Sequence, residues 1–275
     1  MKKSTKLCIL ASLTALSLIV AGCGGDKKDN AKADANAPIK VGVTAGPHAE
    51  IMDNVVKLAA KDGLKVQAVE FSDFVTPNVA LADKQLFANS MQHLPYLKAT
   101  LQKNPKWELV NCFNTVSFPM AIYSNKIKKL EEIKEGMTVA IPNDPSNGGR
   151  ALLVLADKGI IKVKDVKDIK TSVADITLNP KKLKIKELDA AAIPKALGDV
   201  DFAVINANYA MVAKLNPKKD AISIERADNP YVCIFVTTKV NEKDPRVAQL
   251  KKIYQSAENK KFIDEHFKGS ILAGF

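Results

Sequence analysis

The residues best placed to do chemistry lie between positions 139 and 155. The run Val139-Ala-Ile-Pro142-Asn143-Asp144-Pro145-Ser146-Asn147-Gly148-Gly149-Arg150 reads as a strand that ends in an extended turn forced by Pro142 and Pro145. Ser146 then offers a natural amino cap for a helix, and the two glycines allow a backbone or a ligand to approach closely. Arg150 is expected in the first turn of that helix, where amides and dipole already favour an anion. Its planar fork can hold a carboxylate through two parallel hydrogen bonds, although a surface arginine paired with a neighbouring carboxylate has the same spacing. Arg150, Arg226 and Arg246 are the only arginines among 41 basic residues, so this placement carries weight.

Other chemistry is sparse. The chain has no Gly-x-Ser-x-Gly, His-Glu-x-x-His, Cys-x-x-Cys, Gly-x-Gly-x-x-Gly or phosphate-loop motif. Its 3 histidines are His48, His93 and His266, too few for a histidine metal cluster, so neither a metal nor a cofactor is expected. His48, after Gly46-Pro47, and His266, in a charged terminal helix, read as capping or surface residues. Nothing in the spacing assembles a nucleophile, a base and an orienting acid around Ser146, Asp144 or His93, so no enzymatic activity is expected.

Positioning these residues calls for alternating strands and helices. A strand over 39–44 runs into Ala45-Gly46-Pro47, Ile51, Val55, Leu58 and Ala59 recur at helical spacing, and 64–71 alternates like a strand, a βαβ start. The pattern predicts a helix over 78–89, a break at 91–95 and a helix from Tyr96. It also predicts a β-rich run over 107–124, a strand over 137–141, a helix over 146–158, a strand over 201–205 and a helix over 208–215. A second β-rich run follows over 231–238. One amphipathic helix, with Val247, Leu250, Ile253 and Tyr254 on one side, closes the chain. This alternation argues for parallel α/β sheets. If both β-rich runs cross between lobes, lobe 1 comprises 38–117 plus 239–275 and lobe 2 comprises 118–238, with a ligand cleft between them. One continuous sheet without a cleft has the same periodicity.

The amino-terminal residues have the form of an export signal: a basic start, an apolar run from Leu7 to Val20, then Ala21 and Gly22. That run is shorter than the ~20 residues of a bilayer span. Val20-Ala21-Gly22-Cys23 resembles the lipobox of bacterial lipoproteins, which implies a leader over 1–22, and a Cys23 thioether-linked to diacylglycerol, freed at its amino side and acylated, for example with palmitate. An ordinary secretory signal with a chance cysteine is the alternative. Each buried methylene adds about 0.8 kcal/mol of membrane affinity, so two or three chains anchor the protein stably. Residues 23–37 carry no large apolar side chain after the cysteine and read as anchor and flexible tether. Of 4 cysteines, Cys8 leaves with the leader and Cys23 is lipidated; Cys112 and Cys233 remain, either bridged or buried and reduced. The formal charge of +11 falls to +8 once Lys2, Lys3 and Lys6 are removed. Carried almost wholly by lysine, it suits solubility and an anionic membrane better than nucleic acid.

Four separated motifs then appear in order: Phe71-Ser-Asp-Phe74-Val-Thr-Pro-Asn78 with Asn89-Ser-Met91-Gln-His93-Leu-Pro-Tyr96; Ile141-Pro-Asn-Asp-Pro-Ser-Asn-Gly-Gly-Arg150; Asp199-Val-Asp-Phe-Ala-Val-Ile-Asn206-Ala-Asn-Tyr209; and Asn229-Pro-Tyr231. In these the mature chain resembles the methionine-binding lipoproteins of ABC importers, the MetQ and NlpA type. The resemblance implies an α/β, two-lobed periplasmic-binding-protein fold of type II with the ligand cleft between lobes. It further implies a lipid-anchored protein outside the cytoplasmic membrane, in the periplasm or at the cell surface, that captures methionine (D or L) or a close relative for an ABC permease and ATPase complex. By motif, Arg150 would hold the ligand carboxylate, Asn206 and Asn229 would complete its polar contacts, and Phe74, Met91, His93 and Tyr96 would pack its side chain. Members of the family commonly carry tyrosine at the position of Phe74, phenylalanine at Met91 and asparagine at Cys233, which keeps open a Met-containing dipeptide or another apolar amino acid. A surface adhesin that binds polyanions is the alternative of a different class. On this reading Arg150→Ala abolishes binding and leaves the fold intact.

Overall fold

A computed structural model describes residues 37–275. The leader expected over 1–22, the lipidation expected at Cys23 and the tether expected up to position 37 fall, but for Ala37, outside the described residues. Apolar alternation builds strands β1 (Ile39–Thr44) and β2 (Val66–Phe71) around helix α1 (Pro47–Lys61), whose inward face is Ile51, Met52, Val55 and Ala59. The chain continues through α2 (Thr76–Ala82), β3 (Ala88–His93), α3 (Leu94–Lys103) and β4 (Leu109–Ser117). A second set of elements follows: β5 (Met120–Tyr123), β6 (Thr138–Pro142), α4 (Pro145–Asp157), β7 (Lys162–Val163), β8 (Ile176–Leu178), β9 (Lys184–Leu188), α5 (Ile193–Ala196), β10 (Phe202–Asn206), α6 (Ala207–Val212) and β11 (Ser223–Ile224). Then β12 (Val232–Thr238), α7 (Pro245–Tyr254), α8 (Ala257–Phe267) and β13 (Leu272–Ala273) complete the fold.

These strands form two main sheets, one ordered β13-β4-β12-β3-β1-β2 and the other β11-β5-β10-β6-β9, with β7 and β8 as a small separate ribbon. Each sheet has its own core. Val41, Val43, Met52, Phe113, Phe235 and Tyr254 fill the first, where Phe113 stacks on Phe235 at 4.7 Å. In the second, Ile141, Leu152, Leu155, Phe202 and Val204 pack α4 onto the sheet. Side chains of this size contribute roughly 1.5–3 kcal/mol each when fully buried. The result is two lobes joined by two crossings, 118–119 and 225–231.

Several expectations change. Both sheets are mixed rather than parallel: β1 pairs in parallel with β2 and β3, and β10 with β6, but β4, β12, β5 and β11 run antiparallel. These four strands carry the chain to and from the crossings, and β13 adds a further antiparallel pair with β4 at the sheet edge. Sheet pairing assigns β12 to the first lobe, between β3 and β4, so the return crossing precedes Val232 instead of following Thr238. The helix expected over 78–89 ends at Ala82, and the expected break at 91–95 holds the end of β3, buried along its whole length. Two terminal helices replace the single one, parted at Gln255 and Ser256. Cys112 and Cys233 are both free thiols.

Candidate ligand-binding site

The segment around Arg150 folds as a strand, turn and helix, with two changes of detail. Asp144, not Ser146, caps α4: its Oδ1 accepts from the Asn147 amide at 2.9 Å, and the Ser146 hydroxyl donates to the same oxygen at 3.1 Å. Burial pushes the Asp144 carboxyl up in pKa against the pull of these hydrogen bonds. A Cβ on Gly148 would sit 2.7 Å from the Pro142 carbonyl oxygen, and one on Gly149 2.6 Å from that of Thr171. The glycine pair therefore admits neighbouring backbone, which seats α4 tightly on β6 and the 169–171 loop.

Arg150 lies one turn deeper than expected and is 2% exposed. Its Nε donates to Glu225 Oε1 at 2.9 Å, and Nη2 donates to Glu225 Oε2 at 2.5 Å and to the Phe118 carbonyl at 2.7 Å. Its guanidinium carbon lies 4.3 Å from the centre of the Tyr231 ring. One side chain of lobe 2 thus ties both crossings together, since Phe118 belongs to the first and Glu225 and Tyr231 to the second. Glu225 also accepts from the Met120 amide at 3.0 Å.

His93 ends β3 and caps α3. Its Nδ1 accepts from the Tyr96 amide at 3.2 Å, so Nε2 carries the proton and donates to Asn147 Oδ1 at 3.1 Å. Asn206 Nδ2 donates to the same oxygen at 2.9 Å, while Asn147 Nδ2 donates to both carboxylate oxygens of Asp144, at 3.1 and 2.9 Å. Asn147 is the hub that joins β3 of the first lobe to α4 and β10 of the second. Burial, reinforced by the Arg150 charge, lowers the His93 pKa to about 3.

Around these groups is a narrow cavity of about 20 Å³, room for about one water with the lobes in this arrangement. Of the residues singled out in the sequence, Phe74, Met91, His93, Tyr96, Arg150 and Asn206 line it. Phe74 stands at 5.8 Å from the Tyr96 ring and 4.7 Å from that of Tyr209, and closes the apolar side. Asn229 does not line the cavity. It holds an Asx turn, accepting from the Tyr231 amide at 3.0 Å and donating to the Arg226 carbonyl at 2.7 Å, which aims Tyr231 at Arg150.

Six lining residues were not foreseen as contacts: His48, Gln92, Phe118, Asn147, Asn208 and Cys233. His48 is buried, not superficial; it packs 4.2 Å from the Phe118 ring, and burial lowers its pKa to about 3. Asn147 and Asn208 sit inside the quoted motifs, so only their direction was missing. Gln92 is held by Asn78 and Asn89 in a buried amide network. Three buried polar atoms of lining residues, His48 Nδ1, Asn206 Oδ1 and Asn208 Nδ2, have no hydrogen-bond partner among the described residues.

The cavity thus combines a cation, uncharged donors and acceptors, and an aromatic and thioether wall. That suits a small ligand with a polar head and an apolar tail. Ser146 bonds Asp144 while His93 bonds Asn147, so these three do not form a nucleophile and base pair. Among the described residues no cluster of His, Cys, Asp or Glu could hold a metal ion, and no helix is long and apolar enough to cross a membrane.

Known proteins share this architecture. A Salmonella typhi protein named D-methionine-binding lipoprotein MetQ is 42% identical over 262 residues, 94% of each chain. A nutrient-binding protein from Burkholderia cenocepacia, solved bound to methionine, is 46% identical with a TM-score of 0.83, over 86% of this chain and 100% of that one. The crystal structure of the methionine-binding protein MetQ is 41% identical, also with a TM-score of 0.83, over 86% of this chain and 98% of that one. The sequence pattern of the NlpA lipoproteins matches residues 39–275, nearly all of the described chain, and the protein belongs to that family.

Proposed function

We propose that this protein is a lipid-anchored substrate-binding protein that captures methionine, or a close relative of it, between its lobes and delivers it to an ABC permease and ATPase complex. The observation that carries the reading is the buried cavity with Arg150 and three unpartnered polar atoms at its polar side and Phe74, Met91 and Tyr96 along its apolar side. The ligand carboxylate would meet Arg150, its ammonium would meet Asn206 Oδ1, and a thioether would pack against the rings and Met91. Asn229 would act through Tyr231. The relatives named for D-methionine binding, and the structure solved with methionine, support the same ligand class. Cys23 would carry the diacylglyceryl anchor and residues 24–37 the tether, holding the lobes outside the cytoplasmic membrane. In this role lobe 1, 38–117 with the segment from 232 onward, and lobe 2, 118–231, close on the ligand without covalent chemistry.

Mass spectrometry of the ligand released when the purified protein is denatured tests this, alongside thermal shifts with D- and L-methionine, Met-containing dipeptides and the other amino acids. A ligand at about 100 times its Kd stabilises by ~2.7 kcal/mol, which raises the Tm by roughly 5–10 °C for a body of this size. No shift with any amino acid or dipeptide refutes the reading.

A further inference from the structure

The guanidinium at the cavity is not an open cation. Glu225 takes its Nε and Nη2 edge, the Phe118 carbonyl takes a further Nη2 hydrogen, and only Nη1 makes no hydrogen bond among the described residues. Glu225 is held in turn by the Met120 amide, so its carboxylate cannot swing away without losing its bond to the first residue of β5. The two side chains are 3% and 8% exposed, which places the pair out of bulk water. Glu225 itself does not line the cavity; it stands behind Arg150. Among the residues that line the cavity, His48 and His93 are neutral through burial; the Asp144 carboxylate does not line it and lies behind the Asn147 amide that donates to both its oxygens.

A lone buried guanidinium would reward any carboxylate that entered, because an unmatched charge away from water is costly. A guanidinium already matched has no such demand. We propose that Glu225 determines the charge class of the ligand: by cancelling Arg150 it leaves no unmatched charge among the residues that line the polar end, which accepts a zwitterion and discriminates against both an anion and a cation of the same shape. Asn206 Oδ1 and Asn208 Nδ2, an acceptor and a donor without partners, supply the uncharged contacts that a zwitterion needs at such a site. This rests on the reading of the cavity as an amino-acid site.

Isothermal titration of the ligand-free folded protein with three compounds tests the proposal. They are methionine, 4-methylthiobutanoate, which lacks the ammonium, and 3-methylthiopropylamine, which lacks the carboxylate; neither analogue is larger than methionine. Wild type is expected to bind each analogue about a hundredfold or more weakly than methionine. In Glu225→Gln, whose amide oxygen can still accept from the guanidinium, the uncancelled positive charge should bring the anion's affinity at least about tenfold closer to that of methionine. The amine should fall further behind, and Glu225→Asp should keep the wild-type ratios. Unchanged ratios in Glu225→Gln overturn the proposal. Should that variant not fold, the wild type decides: anion binding within about tenfold of methionine overturns it, and rejection of both analogues upholds it. A wild type that binds no amino acid at all overturns the underlying reading as well, a separate outcome visible before any variant is made.

Discussion

Arg150→Ala is the perturbation with the largest consequence, and its effect reaches the ligand-free protein. The substitution leaves the Glu225 carboxylate buried with the Met120 amide as its remaining partner, and strips the Phe118 carbonyl and the Tyr231 face of a cation. Removing one member of a buried pair costs about 3–5 kcal/mol, and the lost carbonyl bond about 1 more. A loss near 5 kcal/mol is a large share of the roughly 5–15 kcal/mol that holds a domain folded, and lowers the Tm by about 10–20 °C. Differential scanning calorimetry or urea unfolding of ligand-free protein measures it. The double variant Arg150→Met with Glu225→Leu replaces the pair by apolar groups and should recover most of the stability without recovering binding. A stability of Arg150→Ala within about 1 kcal/mol of wild type refutes the reasoning. The motif alone implied an intact fold, because it did not reveal the carboxylate on the far side of the fork.

Two further outcomes are expected. His48 and His93 have pKa values lowered from 6.5 to about 3. The unfolded chain takes up these protons first, so their contribution is fully present above about pH 6.5 and is lost as pH falls toward 3. The slope approaches two protons, about 2.7 kcal/mol per pH unit near pH 5, and His48→Gln should halve that part of it in urea midpoints measured across pH. Asn147→Leu leaves His93 Nε2 and Asn206 Nδ2 without their acceptor and Asp144 without the side-chain amide that donates to both its oxygens. It should destabilise by about 3 kcal/mol or more and enlarge the radius of gyration in small-angle scattering; an unchanged radius would show that the lobes are held together by other contacts.

Much of the site was readable because its residues share short motifs: Asn147 and Arg150, Met91 and His93, Asn206 and Asn208. Glycines and prolines also marked the turn before α4, though Asp144 took the cap because its carboxylate reaches the Asn147 amide. What could not be read were partners distant in the chain. Glu225 lies 75 residues from Arg150, and no periodicity links them. The strand β3 was hidden because Asn89 and Gln92 break an apolar pattern. They can be buried there only because Asn78, on α2, satisfies their amides. His48 was misjudged for a related reason: local sequence marks a helix start, but the Phe118 ring that covers it arrives from the crossing. Asn229 was given a ligand contact by motif, where the fold uses its side chain within the turn.

The place of β12 has a consequence for the order in which the polypeptide can mature. Residues 118–231 form a continuous stretch that contains every strand of its own sheet, so that lobe can organise as soon as it emerges. The other sheet has β12 at its seam, between β3 and β4. Until residues 232–238 are available, β3 and β4 each present a bare edge, the kind of surface that recruits foreign strands. A chain threaded through a membrane amino end first would therefore complete its later-made lobe before its earlier one. The earlier half would remain a client for chaperones until nearly the last residue has crossed.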